Sequence, residues 1–318
     1  MRYRGRRRRK QTAGRSICNL RWNSGKKNQH QKRIVNGWTN YMQKYSFLMC
    51  VYFKDNPAFL AESIDSMLNQ TVPPDEIVIV EDGPLTEGLY SVIKKYSDRF
   101  PQIFTIIRNQ VNLGLGKALN EGIAHARNEL LARMDADDIS EKERCCLQLK
   151  AFEDNPELDI VGTSTCAFIN DPQTIVSINH AACTLKEIYK RGKRHAAFSH
   201  VTVMYRKSTL QKLGGYGDYR RAQDADLFGR MLFSGCKAMN IDKILVKVRK
   251  GNGLVSRKKD KTNIDSILNI KKSQKKMGYI SQIDYISLWF KYKVSLLIPN
   301  KLYQKLYLKM FGNQKNLH

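Results

Sequence analysis

Three carboxylates crowd into four residues at Asp135-Ala136-Asp137-Asp138, directly after the mostly apolar run 129–134. Like charges this close repel, and a cation or a set of hydrogen bonds is needed for them to be tolerated together. Oxygen ligands of this kind suit Mg²⁺ or Mn²⁺, which take one or two carboxylates and share the rest of their shell with substrate phosphates. Taken alone, the cluster also reads as a solvated acidic turn in which Asp138 or Ser140 caps the next helix.

Two further groups have chemical content. Asn112-Leu113-Gly114-Leu115-Gly116-Lys117 precedes a helical stretch. Its glycines would let backbone approach a ligand, and Lys117 would reach a phosphate. It is neither a dinucleotide fingerprint, for want of a third glycine, nor a phosphate-binding P-loop. An ordinary glycine turn is the competing reading. Gly214-Gly215-Tyr216 leads to Gln223-Asp224 at the start of an apolar-periodic helix. There a carboxylate is either a plain N-terminal cap or a general base presented into a cleft.

The elements that must position these groups alternate. Short apolar runs at 47–52, 76–80, 103–107 and 129–134 read as buried parallel strands. Helices are predicted from Asn56-Pro57 through Leu68, from Leu89 through Tyr96, and over 116–126. Strand and helix in turn are the pattern of βαβ units on a parallel sheet, an α/β fold. Such sheets place ligands beyond the carboxyl ends of their strands. Polar clusters fall at three of those ends: Tyr52-Phe53-Lys54-Asp55, Glu81-Asp82-Gly83, and Asp135 to Asp138.

The second half is less regular. It predicts a helix over 140–153, with Ser140 as N-cap and Glu143 in a capping box. Short strands follow within 158–179 around a turn at Asn170-Asp171-Pro172, then an apolar strand over 197–205, a helix over 223–233 and a last strand over 244–248.

The net charge is +26, and its distribution is uneven. Residues 1–45 hold 14 Lys/Arg and no acid, residues 247–318 hold 17 against 3, and the stretch between them is close to neutral. A neutral globule with basic ends argues against a nucleic-acid-binding protein, as does the lack of any recognisable module for it. Residues 1–45 are predicted to be a disordered basic tail: an upstream extension outside the working protein, a membrane-attracted tail, or an arm. Seven scattered cysteines without a Cys-x-x-Cys pair indicate neither a zinc site nor a disulfide framework, and fit a reducing cytoplasm. No run of about 18 apolar residues predicts a membrane span, and no apolar run follows the N-terminal charge as in a secretory signal.

Toward the C-terminus, Ile283, Ile286, Phe290, Val294 and Leu297 recur at steps of three and four, an amphipathic helix over 281–298. Beyond Pro299, Lys301, Lys305 and Lys309 form a stripe beside Leu302, Leu306 and Met310. Two readings stand: an interfacial helix pair drawn to anionic lipid, or helices packing their apolar face on the globule. The divisions expected are 1–45 as tail, 46–255 as catalytic domain and 256–318 as a basic amphipathic helical segment.

Taken together, these motifs resemble glycosyltransferase family 2, whose fold is GT-A: a Rossmann-like nucleotide-binding half with a mixed central sheet. Cys50-Val51-Tyr52-Phe53, Glu81-Asp82-Gly83-Pro84, Asn112-Leu113-Gly114, Asp135-Ala136-Asp137 and Gln223-Asp224 follow the family's motifs in order and approximate spacing, departing from them at Cys50, Phe53 and Gln223. The resemblance implies metal-dependent, inverting transfer of a sugar from a nucleotide donor, most often UDP-linked. Tyr52 and Asp82 would lie against the base; Asn112, Gly114 and Lys117 would line the ribose–phosphate region. Asp135 would contact ribose or metal, Asp137 would bind Mg²⁺ or Mn²⁺, and Asp224 would be the catalytic base. Asp138 would cap the following helix, and His200 would be a buried structural histidine.

The resemblance lies nearest to bacterial makers of exopolysaccharide, capsule or O-antigen. It implies a saccharide or lipid-linked acceptor and a cytoplasmic enzyme peripheral on the anionic inner face of the cell membrane. The rival enzyme reading, a nucleotidyltransferase acting on sugar phosphates, predicts a glycine-rich basic loop after the first strand. Phe53-Lys54-Asp55-Asn56-Pro57 lacks it.

Overall fold

The computed structural model describes residues 43–250 and 260–299. The readings of residues 1–42 and of the lysine stripe beyond 300 lie outside the described residues. The chain runs β1 (Tyr45–Val51), α1 (Pro57–Leu68), β2 (Glu76–Glu81), α2 (Glu87–Arg99), β3 (Phe104–Arg108), α3 (Leu115–His125) and β4 (Leu130–Met134). Then come β5 (Ile139–Ser140), α4 (Arg144–Asp154), β6 (Leu158–Phe168), β7 (Ile175–Asn179), α5 (Leu185–Arg194), a 3₁₀ turn (His200–Thr202), β8 (Met204–Arg206) and α6 (Lys207–Lys212). α7 (Gln223–Phe233), β9 (Lys237–Arg249), α8 (Lys261–Lys276) and α9 (Gln282–Leu297) complete the described chain.

Successive residues of a strand point to opposite faces, and β1 shows the consequence. Phe47 and Met49 join the core under α1, α2 and α4, with Ile77, Leu60, Ile64 and Phe152. Leu48 joins the core under α3 and α7, with Val78, Leu119, Ile123 and Phe228. A strand buried on both sides needs apolar residues at nearly every position, which is why these runs do not alternate. Asn56 starts α1 as expected: its Oδ1 accepts from the Ala58 amide at 2.8 Å and the Phe59 amide at 3.4 Å.

Nine strands form one sheet in the order β3-β2-β1-β4-β8-β6-β9-β5, with β7 paired to β6. β1 to β4 are mutually parallel, and β8 runs antiparallel to both β4 and β6. The chain builds outward from β1 in one direction and resumes beside it with β4. The ends of β1 and β4 therefore flank the switch in strand order, where a ligand crevice forms.

Several expectations for the second half change. Ser140 does not cap a helix: it lies in β5 opposite Val246, and α4 starts at Arg144. Glu143 makes no side-chain cap bond and pairs with Lys243 instead, a long-range contact that local spacing does not encode. The apolar stretch 197–205 is mostly irregular around a short 3₁₀ turn at His200–Thr202, with strand only from Met204. The final strand is β9, 13 residues long, rather than a short run at 244–248. Lys237, Asp242 and Lys243 interrupt its hydrophobicity because that stretch is partly exposed.

α8 packs on α7. The Gln274 side-chain amide donates to the Ala225 carbonyl at 2.8 Å, and the Lys271 ammonium donates to the Gly192 carbonyl at 2.9 Å. Burial pushes the Lys271 ammonium down to about 8. α9 is capped by Ser281 and Asp284 and lies against α8 and α5.

Candidate active site

β4 carries Arg133 into the core and delivers Asp135 at its end. Arg133 is 1% exposed and pairs with the Asp135 carboxylate. Among the described residues its Nε and Nη1 have no hydrogen-bond partner. Burial works against the Arg133 charge, and the Asp135 carboxylate more than restores it. Beneath the turn, the Arg144 guanidinium donates to the Arg133 carbonyl at 2.7 Å, while the Ser63 hydroxyl donates to the Asp135 carbonyl at 2.8 Å.

Asp135, Asp137 and Asp138 each bring a carboxylate oxygen within 4.8 Å of the others. Burial raises the Asp137 and Asp138 carboxyls above the ordinary range, and their neighbours' charges add to it. Asp138 is buried and accepts from the Arg249 amide at 2.8 Å. It does not cap α4, whose first residue lies six positions on. It belongs to the acidic cluster, and reading it as a cap missed that. Asp55 joins from the loop after β1. Burial pushes its carboxyl up to about 7; the Tyr52 amide that it accepts at 2.9 Å pulls back, and the Asp137 and Asp135 charges add to the rise.

Arg249 was invisible to sequence reasoning. It lies 3.9 Å from the Phe59 ring centre and 4.5 Å from that of Phe168, and it pairs with Glu62. Its Nε donates to the Asp137 carbonyl at 3.1 Å. The end of β9 thereby grips both the backbone and a side chain of the acidic turn. Its only signal in the sequence is a lone arginine closing a strand.

The second strand end forms a separate bracket. Asp82, 2% exposed, accepts the Leu113 amide at 2.7 Å on one carboxylate oxygen and the Gly114 amide at 3.0 Å on the other. Asn112 returns a bond to the Asp82 carbonyl at 3.1 Å. Gly83 must be glycine: its φ is +88°, and a Cβ would lie 2.8 Å from the Asn112 nitrogen. Gly114, at φ +86°, then opens α3, whose free N–H groups make an anion-binding end. Lys117 stands in that first turn, paired with Asp218 at 3.0 Å. Tyr52 is exposed, edge-on to Phe53 with ring centres 5.9 Å apart.

Asp224 is in the first turn of α7. The residue before that helix, Ala222, has φ +58°, the one left-handed non-glycine among the described residues. Burial raises the Asp224 carboxyl; the Ala225 amide and the Arg133 guanidinium oppose the rise, and the Asp135 charge adds to it. Asp224 and the acidic turn thus share one electrostatic field around Arg133. The loop before Asp224 is held by Asn120, which accepts the Tyr216 amide at 2.8 Å and donates to its carbonyl at 2.9 Å. Arg230 holds the same loop through the carbonyls of Leu213 and Gly215. His200 meets the Tyr216 hydroxyl at 2.7 Å, and burial lowers its pKa well below the usual range.

The site thus gathers a hard-oxygen cluster, a backbone anion cradle at the start of α3 and a half-buried carboxylate, all at the carboxyl edge of the sheet. The donor set fits a small divalent cation: carboxylate oxygens in close range whose charges are strained until shared.

The model of the family described as "Glycosyl transferase family 2" matches residues 46–214. The amylovoran biosynthesis glycosyltransferase AmsE of Erwinia amylovora is 30% identical over 83% of this chain and 98% of its own length. The UDP-Gal:alpha-D-GlcNAc-diphosphoundecaprenol beta-1,3-galactosyltransferase of Escherichia coli is 34% identical over 65% of this chain and 74% of its own. The structure of the mannosyltransferase PcManGT from Pyrobaculum calidifontis, in complex with GDP-Man and Mn²⁺, superposes with a TM-score of 0.58. That likeness spans 91% of this chain and 82% of that one at 15% identity, and the shared fold is GT-A.

Proposed function

The chain belongs to glycosyl transferase family 2, and on that premise we propose that it transfers a sugar from a UDP-linked donor with inversion, using Asp224 as base. The observation that supports this reading is that Asp224 feels the charges of both Arg133 and Asp135, which are themselves paired. Asp135 and Asp137 would hold Mg²⁺ or Mn²⁺, and buried Asp138 contributes to the same oxygen set. Bound there, the cation would supply Lewis-acid stabilisation of the departing diphosphate. Tyr52 and the Asp82 loop border the place for the base. Asn112 and Gly114 form the wall beside it, and Lys117 exchanges Asp218 for phosphate.

Asp224 accepts the proton of the acceptor hydroxyl as its oxygen attacks the anomeric carbon from the side opposite the leaving group. Burial raises the proton affinity of this carboxyl, and the Ala225 amide and Arg133 oppose the rise. The acceptor is a saccharide, lipid-linked in the manner of the E. coli relative's substrate, in bacterial surface polysaccharide synthesis. The setting is the anionic inner face of the membrane; no described helix is long and apolar enough to cross it.

The test is release of UDP from a panel of UDP-sugars with Mn²⁺, Mg²⁺ or EDTA, and the anomeric configuration of the product. One donor should give cation-dependent turnover with inversion. Full turnover in EDTA, or a retained configuration, would reject the mechanism.

A further inference from the structure

α9 is built the wrong way round for a helix facing water. Ile283, Ile286, Phe290, Val294 and Leu297 share one face by their spacing, and they are 80%, 53%, 64%, 36% and 82% exposed. Leu288, on the inner side, is the buried residue of this helix. Single exposed apolar side chains are ordinary, but five on one stripe mark an interaction surface. Among the described residues the stripe thus faces away from α8 and α5, on which α9 packs.

The borders of the stripe are cationic. α5, which touches α9, holds five Lys/Arg and one Glu. Arg194 from α5 and Lys291 from α9 line a cleft between the two helices together with Asp284, Ser287 and Leu288. Trp289, an amphipathic ring of the kind that sits at headgroup level, is 43% exposed beside the stripe. An apolar row edged by cations is complementary to an anionic bilayer: side chains enter the acyl boundary while Lys and Arg meet phosphate. A second copy of this chain would set like charge against like charge and lacks that complementarity.

We propose that the outer face of α9, with the cations of α5, docks the enzyme on an anionic lipid surface. α8 joins that face to the helix that carries Asp224. Gln274 of α8 donates to the carbonyl of Ala225, the residue after Asp224, and its amide fills the space that a side chain at Gly229 would need. Lys271 ties the same helix to α5 through the Gly192 carbonyl. The membrane-facing helices and the base-bearing helix are therefore joined by buried polar contacts rather than by a linker. The proposal rests on the lipid-linked acceptor for its purpose, although docking itself requires no acceptor.

The experiment is flotation of the full chain with vesicles of phosphatidylcholine, alone or mixed with phosphatidylglycerol. Wild type should float with the mixed vesicles, less so as salt rises, and weakly with the neutral ones. The triple variant Ile283→Ser/Phe290→Ser/Leu297→Ser should bind at least about tenfold more weakly, and Arg194→Glu/Lys291→Glu should lose the preference for anionic vesicles. Both should keep the thermal stability of wild type and its UDP release with a water-soluble acceptor. Flotation of the triple variant at wild-type level would overturn the proposal. So would a wild-type dimer in sedimentation that the triple variant dissolves, since a second copy would then be the occupant. Absence of UDP-sugar turnover in wild type would instead reject the proposed function and leave the docking result standing.

Discussion

Asp135, Asp137 and Asp138 leave the end of a strand buried in the middle of the sheet, whereas Asp224 begins a helix through one left-handed residue. The acidic turn is gripped by Ser63 of α1, Arg133 of β4 and Arg249 of β9, and Arg144 of α4 braces the strand just before it. Asp224 depends on a loop that two side chains, Asn120 and Arg230, suspend by its backbone. The difference fits the two tasks proposed for these groups. A cation site must hold oxygens at fixed mutual distances, while a base must meet acceptors whose hydroxyls arrive from solvent or lipid. Rigidity belongs to the first and adjustable placement to the second.

The comparison breaks if the two sites fail together. Asp137→Ala should lower turnover by about 10³ or more and abolish the thermal shift given by Mn²⁺. Asp224→Asn should lower turnover by about 10²–10⁴ yet retain both that shift and UDP-sugar binding by calorimetry. Loss of Mn²⁺ binding in Asp224→Asn would make the two carboxylate groups one site.

A smaller effect separates the cation from its supports. Arg249→Met should raise the Mn²⁺ dissociation constant about tenfold, as loss of an outer support does, with a lesser change in turnover at saturating Mn²⁺. Calorimetry on the protein without donor checks it. Arg249→Lys should recover little, because a lysine cannot lie flat between Phe59 and Phe168 while reaching both Glu62 and the Asp137 carbonyl.

The acidic turn, with Asp55 beside it, also has a pH signature. Asp55, Asp137 and Asp138 all have folded values above the ordinary one, Asp55 reaching about 7 against 3.8. The folded chain therefore holds their protons more tightly than the unfolded chain. In EDTA this contribution to stability is lost as pH rises from about 4 toward about 7. Melting temperatures without metal should fall between pH 5 and 7.5, and saturating Mn²⁺ should remove most of that fall. In Asp138→Asn the slope in EDTA should shrink.

How much of this was legible from sequence follows from how local each feature is. Strands β1 to β4, their helices and the acidic turn were readable because a doubly buried strand must be continuously apolar and its terminal turn must be polar. The Asn112–Gly114 loop was readable for its glycines, but the part of Asp82 that holds it crosses about 30 residues, beyond any local pattern. Arg249 lies 112 positions from the Asp137 carbonyl that it supports. Asn120 and Tyr216 meet across 96. Asp138 reads as a cap because the β9 amide it accepts lies 111 positions away, outside any local pattern. The stripe on α9 was readable as a stripe. Which way it faces depended on Leu288 and on the docking of α8, neither of which the spacing determines.

The smallest predicted effect concerns Ala222 and tests whether Asp224 owes its placement to local strain. A left-handed alanine costs roughly 1–2 kcal/mol, part of which glycine returns as added freedom of the unfolded chain. Ala222→Gly should therefore stabilise the protein by about 0.5–1 kcal/mol, a rise of about 1–3 °C in Tm. If the left-handed turn is what aims the first turn of α7, the added freedom should lower turnover about two- to threefold with Mn²⁺ affinity untouched. A rise in Tm without loss of turnover would mean that Asn120, Arg230 and Gln274 aim the base by themselves. The strain at Ala222 would then be a by-product of closing the loop, and both carboxylate sites would be held by the same means: side chains reaching in from distant elements.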